Sequence, residues 1–383
     1  MQDLASIGTD PINKLISRLP GAVDIEAMAR ASGAFTRARK IKSARELLHL
    51  ALAYAAGALS LRDTAAWATL RGAALSDVAV LKRLRLPAVA TWLHEVTAAI
   101  LAQRQPAATA SGWRVRVIDA TVVSSPGKAA DYRLHASYDL ASQQLVAVTL
   151  SGTSESESLR HFAIGPGEIA LADRGYLKAR DLSAVREAGG HFVVRAGWNS
   201  ARWHDADGTP FDLFAWLDRL DYGAHAETPV MIWPERTARG AFPVRLIARR
   251  MTKSEAEKSR SRAHTAASKD QRRVTVQTLK AAEFILIVTS LDADSFAAAD
   301  ILALYRRRWQ VELAFKRLKS LLGLDELPAK DPDFARTWIY TKLLAHLLVE
   351  DITREILDSP PCARRHHVGP FLLDLAHPEN ALS

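Results

Sequence analysis

The chain has 383 residues, 48% hydrophobic and 24% charged, enough for a packed core and, at roughly 100–200 residues per domain, for two or three domains. Mean hydropathy is −0.05, and the longest apolar stretch, residues 47–61, contains His49 and falls short of the roughly 20 apolar residues that span a bilayer. A disordered tail protein and a membrane protein are both excluded. The opening MQDLASIGTD has no basic segment followed by an apolar core, so no signal peptide is expected. The single cysteine, Cys362, excludes an intramolecular disulfide framework and a zinc site of several thiolates, and points to the reducing cytosol. Lys and Arg number 51 against 42 acids, a net charge of +9 and a pI near 9.7. A pI above about 9 is the electrostatic footprint of a nucleic-acid partner.

Residues 1–108 are rich in Ala and Leu with helical periodicity, which predicts an all-α N-terminal region. Within it the spacing predicts a helix over 62–70 and, after Gly72, a second helix capped by Ser76 or Asp77 that carries Lys82, Arg83 and Arg85. A short glycine-containing turn between two such helices fits either a helix-turn-helix on DNA or an ordinary hairpin with a solvated basic face. QRQPAATASG, 103–112, reads as a linker.

Beyond it the period changes. Strands are predicted over 114–119, ending at Asp119, then 132–138 and 144–150 with a turn at 141–143. A short apolar run over 168–173 ends in Asp173. Arg174-Gly175-Tyr176 and a helical stretch to Glu187 follow, then a strand over 191–195. Residues 198–247, with Trp198, Trp203, Trp216 and Trp233, read as part of a β-rich insertion extending to about 290. Its basic run, 249–273, has nine Lys/Arg against three acids and fits a solvated helix, a mobile loop or a phosphate-contacting segment. A buried strand is predicted over 284–289, one helix over 295–322 and another over 336–357. The apolar residues of the last, Ile339, Leu343 and Leu347, suit a dimer interface or a core.

Phosphoryl transfer on DNA needs charge neutralised on the attacking and leaving oxygens. Two hard divalent cations about 3.5–4 Å apart do this, held by carboxylates from distant parts of the chain. Asp119 and Asp173, at strand ends, suit that task, although an Asp in such a place also forms turns and caps. Asp131 and Asp139 are alternatives, and Glu155 and Glu157 lie on a polar loop with a supporting role left open. His135, His161 and His191 lack metal-ligand spacing. No G-x-x-x-x-G-K-[ST] or G-x-G-x-x-G run is present, so no nucleotide cofactor is expected. On the helix predicted over 295–322, Tyr305, Arg308, Glu312 and Lys319 fall at offsets of three, four and seven, on one face. That face is either an exposed surface with an Arg308–Glu312 pair or a metal ligand flanked by phosphate-binding cations.

Tyr305-x2-Arg308-x3-Glu312-x6-Lys319 resembles the Y-x2-R-x3-E-x6-K motif of the IS-four group of bacterial insertion-sequence transposases. Asp119 in Val-Ile-Asp-Ala-Thr and Asp173 in Ala-Asp-Arg-Gly-Tyr resemble that group's first and second catalytic aspartates, in the same order. The resemblance implies an α/β, ribonuclease-H-like catalytic core over 109–325, interrupted by the β-rich insertion at about 198–290. It is preceded by the helical DNA-binding region 1–108 and followed by a helical region, 326–383. It also implies metal ligation by Asp119, Asp173 and Glu312, with Mg2+ or substituting Mn2+. Hydrolytic nicking at the element's ends and strand transfer would follow, on double-stranded DNA, by a homodimer on paired ends, in a bacterial cytoplasm and on the nucleoid. Tyr305, Arg308 and Lys319 would contact phosphates, and Phe284 is a candidate for stacking on a flipped base. Trp309, on another face, is expected in the core. A catalytically inactive DNA-binding relative is the alternative reading, and a nuclease without strand transfer a third.

Overall fold

The computed structural model describes residues 11–104, 112–124, 130–233, 240–269, 271, 273–323 and 327–358. Most of the linker and Cys362 lie outside the described residues. The helical opening is α1 (Pro11–Ile16), α2 (Ile25–Ala31), α3 (Ala44–Ala55), α4 (Leu61–Leu70), α5 (Asp77–Leu84) and α6 (Pro87–Gln103). Oxygens of Asp24, Ser43, Ser60 and Ser76 accept backbone N–H groups at the starts of α2 to α5, each such cap contributing about 1 kcal/mol. Ser76 is thus the cap of the second hairpin helix.

The strands are β1 (Arg114–Ser124), β2 (Ala130–Asp139), β3 (Gln144–Gly152), β4 (Glu168–Ala172), β5 (His191–Ala196), β6 (Trp203–His204), β7 (His225–Ile232), β8 (Phe242–Arg250) and β9 (Phe284–Thr289). All join one sheet in the order β3-β2-β1-β4-β5-β9-β8-β7-β6. β1, β4 and β5 are parallel neighbours, whereas β2 and β3 run antiparallel as a meander from β1. The β-rich segment therefore does not form a sheet of its own: β9 pairs antiparallel with β5, and β8, β7 and β6 continue outward. The remaining helices are α7 (Ala179–Glu187), α8 (Leu213–Leu217), α9 (Lys253–Lys269), α10 (Val276–Ala281), α11 (Ala298–Arg306), α12 (Trp309–Leu322) and α13 (Pro332–Asp358). Of the basic run, Arg249 and Arg250 end β8 and Lys253–Lys269 form α9, of which only Ala256 is buried. Arg249 pairs with Glu255, and Arg250 and Arg260 with Glu283.

Strand alternation divides the core between the two faces of the sheet. Val117, Ala136, Leu171, Val193 and Ile287 face a core shared with α2 to α6 and α11 to α13. Ile118, Ala170, Ala172, Val194 and Leu286 face a second core under α7 and α8. Ile339, Leu343 and Leu347 of α13 are at most 1% exposed and pack in the first core. That face is core and is not available as a dimer interface.

The helix expected over 295–322 is in fact two. At the junction Arg308 N–H bonds to the Tyr305 carbonyl at 3.1 Å, Gln310 to Arg307 at 3.2 Å and Val311 to Arg308 at 3.3 Å. These i to i−3 bonds are a 3-10 tightening, so the four motif residues do not share one straight α-helical face. No described helix is long and apolar enough to cross a membrane.

Candidate active site

Parallel pairing of β1 with β4 sets Ile118 opposite Ala172. Asp119 and Asp173 are the next residues on each strand, so they lie side by side, about one strand spacing of 5 Å apart, on the face of the first core. Asp173 stays extended, and its Oδ1 accepts from the Gly175 N–H at 2.8 Å, capping the 3-10 turn Arg174–Tyr176. β4 pairs with β5 so that Ala172 meets Val194. Arg195 is therefore the neighbour of Asp173 in the same row. Tyr305, at the end of α11, reaches this row: its hydroxyl is pushed up by burial and by Asp173, against the opposing charges of Arg308 and Arg195.

α12 closes the site. Its Val311, Ala314 and Phe315 anchor in the first core, which brings Glu312 over β1. Arg308 lies between the acids, with Nη1 3.3 Å from Asp119 Oδ2 and Nη2 bonded to Glu312 Oε1. The Asp119 carboxyl is pushed up to about 6, first by burial and further by the charges of Asp173 and Glu157, against its bond from the Ala120 N–H and the Arg308 guanidinium. Lys319 is half-buried two turns farther along α12.

The structure thus gathers Asp119, Asp173, Tyr305, Arg308 and Glu312, with Lys319 down the helix. It does not bring Phe284 to them. Phe284 is 4% exposed, packed in the second core on the other side of the sheet, with the Arg250 guanidinium 5.4 Å from its ring centre. A base has no ring face to meet there. Trp309, expected in the core, is 52% exposed, beside Arg308. Asp139 is fully buried and pairs with Arg114 at 2.8 Å while capping the turn at Ala141 and Ser142, so it is structural. His135 and His161 stack at 3.8 Å. Arg195 is the addition that sequence reading did not place, whereas Glu157, whose supporting role the sequence left open, has its charge felt at Asp119. Strand phase puts Arg195 on a known side, but only the β4–β5 register makes it the neighbour of Asp173.

Among the described residues, no three acid, histidine or cysteine side chains stand close enough together to hold a metal ion as they are. The donor chemistry nonetheless fits a hard divalent cation. The acids offer oxygen alone, which suits Mg2+ or Mn2+ over zinc. Asp119 is buried enough to require a counter-charge, and one guanidinium now supplies it to both Asp119 and Glu312.

Residues 111–348 match the Transposase DDE domain family. Over 358 residues the chain is 40% identical to the putative transposase InsL of insertion sequence element IS186A from Escherichia coli strain K12, covering 92% of this chain and 96% of that one. It is equally 40% identical, over 359 residues and the same shares, to the transposase of insertion sequence element IS421 from Escherichia coli. The transposase of IS231F from Bacillus thuringiensis subsp. israelensis is 21% identical over 272 residues, 61% of this chain and 55% of that one. A solved structure, the piggyBac transposase synaptic complex with hairpin DNA, aligns at 11% identity with a TM-score of 0.43, over 92% of this chain and 82% of that one. With the domain match and the near full-length likeness to the IS186 and IS421 transposases, the chain belongs to the IS-four group of DDE transposases of bacterial insertion sequences.

Proposed function

We propose that this transposase cuts and rejoins the double-stranded DNA at the ends of its own insertion sequence through Asp119, Asp173 and Glu312. The observation that carries this is the row of acids: adjacent strands set Asp119 beside Asp173, and Arg308 ties Glu312 to Asp119. The five strands β3-β2-β1-β4-β5, a meander followed by two parallel neighbours, are the ribonuclease-H-like core of this reading. β6 to β9 are its insertion.

Asp119, Asp173 and Glu312 would hold the divalent ions, Mg2+ in the cell and Mn2+ as a substitute, in a two-metal arrangement. Bound ions of this kind neutralise charge on the attacking and leaving oxygens of an in-line displacement. No protein nucleophile is needed, since water or a DNA 3′-hydroxyl attacks. Arg308 suits a bidentate phosphate contact and Lys319 a point-charge contact, with Tyr305 as a hydroxyl donor at the same strand. Trp309, not Phe284, is the exposed aromatic on hand to meet a base. Residues 1–108, with the α4–α5 hairpin, recognise the element's ends. Residues 109–325 carry the chemistry, and α13 of the C-terminal region completes the described core. The protein works on DNA in the cytoplasm, as a homodimer holding paired ends.

The test is excision from a donor plasmid carrying the gene's own flanking DNA, with Mg2+, comparing wild type with Glu312→Gln. Excision by wild type alone, with end binding kept by both, is expected. Equal excision by both removes Glu312 from the mechanism. No excision by either, with end binding retained, favours a catalytically silent DNA-binding protein.

A further inference from the structure

Glu157 and Tyr176, neither of them among the three assigned ligands, converge on the acids. Glu157 lies in the segment between β3 and the 3-10 turn Leu159–His161. A Cβ added at Gly175 would fall 2.2 Å from Glu157 Oε2 and 3.2 Å from Asp173 Oδ1. Only a glycine there lets both carboxylates close over the same point of backbone.

The segment carrying Glu157 is tied down from both sides. Lys178 Nζ donates to the Glu157 carbonyl and, at 2.6 Å, to Ser156 Oγ. Ser158 Oγ donates to Asp181 Oδ2, also at 2.6 Å. Lys178 is thereby spent on backbone and hydroxyl oxygens. Among the described residues no basic side chain pairs with the Glu157 or the Asp173 carboxylate.

Tyr176 is fully buried, yet its hydroxyl has no hydrogen-bond partner. The acids that act on that hydroxyl are Asp119, Glu157 and Asp173. An unmade hydrogen bond on a buried polar group costs about 1–3 kcal/mol, and a native interior leaves few of them without a reason. A cation drawing the three carboxylates together supplies that reason, because it brings an acceptor oxygen to the tyrosine.

We propose that Glu157 is a fourth carboxylate of the cation site, sharing an ion with Asp173. This rests on the cation reading of Asp119, Asp173 and Glu312. The sequence places Glu157 within Thr-Ser-Glu-Ser-Glu-Ser, where Glu155 is the built-in control: it is exposed on the same segment.

The experiment measures Mn2+ binding to the full chain by electron paramagnetic resonance, without DNA cleavage as a readout. Glu157→Gln is expected to weaken Mn2+ binding about tenfold or more, with Glu155→Gln unchanged. Gly175→Ala removes no ligand, but its methyl displaces the Glu157 carboxylate, so it is expected to weaken binding in the same way. Melting curves in EDTA show that each variant is folded. Binding by Glu157→Gln within about twofold of wild type, when Asp119→Asn has lost the roughly tenfold that a ligand-shell change costs, overturns the role of Glu157 and leaves the cation site standing. Wild-type protein that binds no Mn2+, or binding indifferent to Asp119→Asn, overturns the cation site and this inference together.

Discussion

Between Asp119 and Glu312 the chain places one guanidinium, 3.3 Å from the first and bonded to the second. Without a bound cation it is the counter-charge that lets a carboxylate stand in a largely buried place. Arg308→Ala is therefore expected to lower stability in EDTA by about 1.5–3 kcal/mol, the range for hydrogen bonds to charged groups. Millimolar Mg2+ should restore much of that, because the ion takes over the same duty. Thermal melts in EDTA and in Mg2+ decide it, and an equal loss in both would leave Arg308 as packing only. A different residue governs the acid limb of stability. His135 is fully buried, and its imidazole is pushed down to about 4, first by burial and then by the charges of His161, Arg133 and Lys178. The unfolded chain takes this proton near 6.5, whereas the folded one refuses it until about 4. Stability is thus unaffected by His135 above about 6.5 and declines as pH falls from there toward 4, by about 3 kcal/mol in all. Asp119, with its raised carboxyl, titrates over an overlapping range with the opposite sign, so the comparison must be differential. Urea midpoints of wild type and His135→Gln at pH 7.5 and 5 should converge toward low pH, and parallel curves would rule the histidine out.

At the scale of elements, the clamp between α6 and α13 makes the sharpest case. Arg104 is 6% exposed in its side chain and pairs with Glu350 at 2.8 Å and Asp351 at 2.6 Å, while donating to the Leu347 carbonyl at 2.5 Å. Arg104→Met keeps the length but takes the guanidinium from two partly buried acids, leaving Glu350 to His346 and Asp351 to Gln144, a loss of about 3–5 kcal/mol when one side of a buried pair is removed. Urea denaturation measures it, and a loss under about 1 kcal/mol would place the acids in effective contact with water. Nothing in local sequence announces this clamp, since its partners lie some 245 positions away, whereas local period placed most of the strands well. The runs read over 132–138 and 168–173 became Ala130–Asp139 and Glu168–Ala172, because alternation and apolar runs are properties of the segment itself. The break at Arg307 and Arg308 was not legible: both halves keep an apolar period, and no Pro or Gly marks the joint. Phe284 shows the limit of alternation, which separates two faces of a strand without saying which one meets the acids. Asp119, Asp173 and Glu312 were legible as residue types in order, but the row that adds Arg195 depends on strand register, a long-range property.

Taken as one body, the molecule joins its N-terminal helices to α13. Helices α3 and α6 pack with α13 in the core that also covers β1, β2 and β4, and Arg104 locks that union from within. The site stands at the end of these same strands, and the helices before residue 104, whatever part they take in the proposed DNA recognition, cover the sheet face on which Asp119 and Asp173 are displayed. Strand ends fix a catalytic carboxylate only as firmly as the sheet behind them is held. Two consequences can be measured. Scanning calorimetry of the full chain is expected to give one cooperative transition rather than separate N-terminal and catalytic ones. A chain beginning at residue 112 would expose Val117, Ala136, Leu171 and the inner face of α13, and is expected to aggregate rather than fold into a nuclease core. Two resolved transitions, or a soluble truncated chain with native circular dichroism, would show instead that the catalytic sheet is held without the N-terminal helices, and that their packing serves DNA recognition alone.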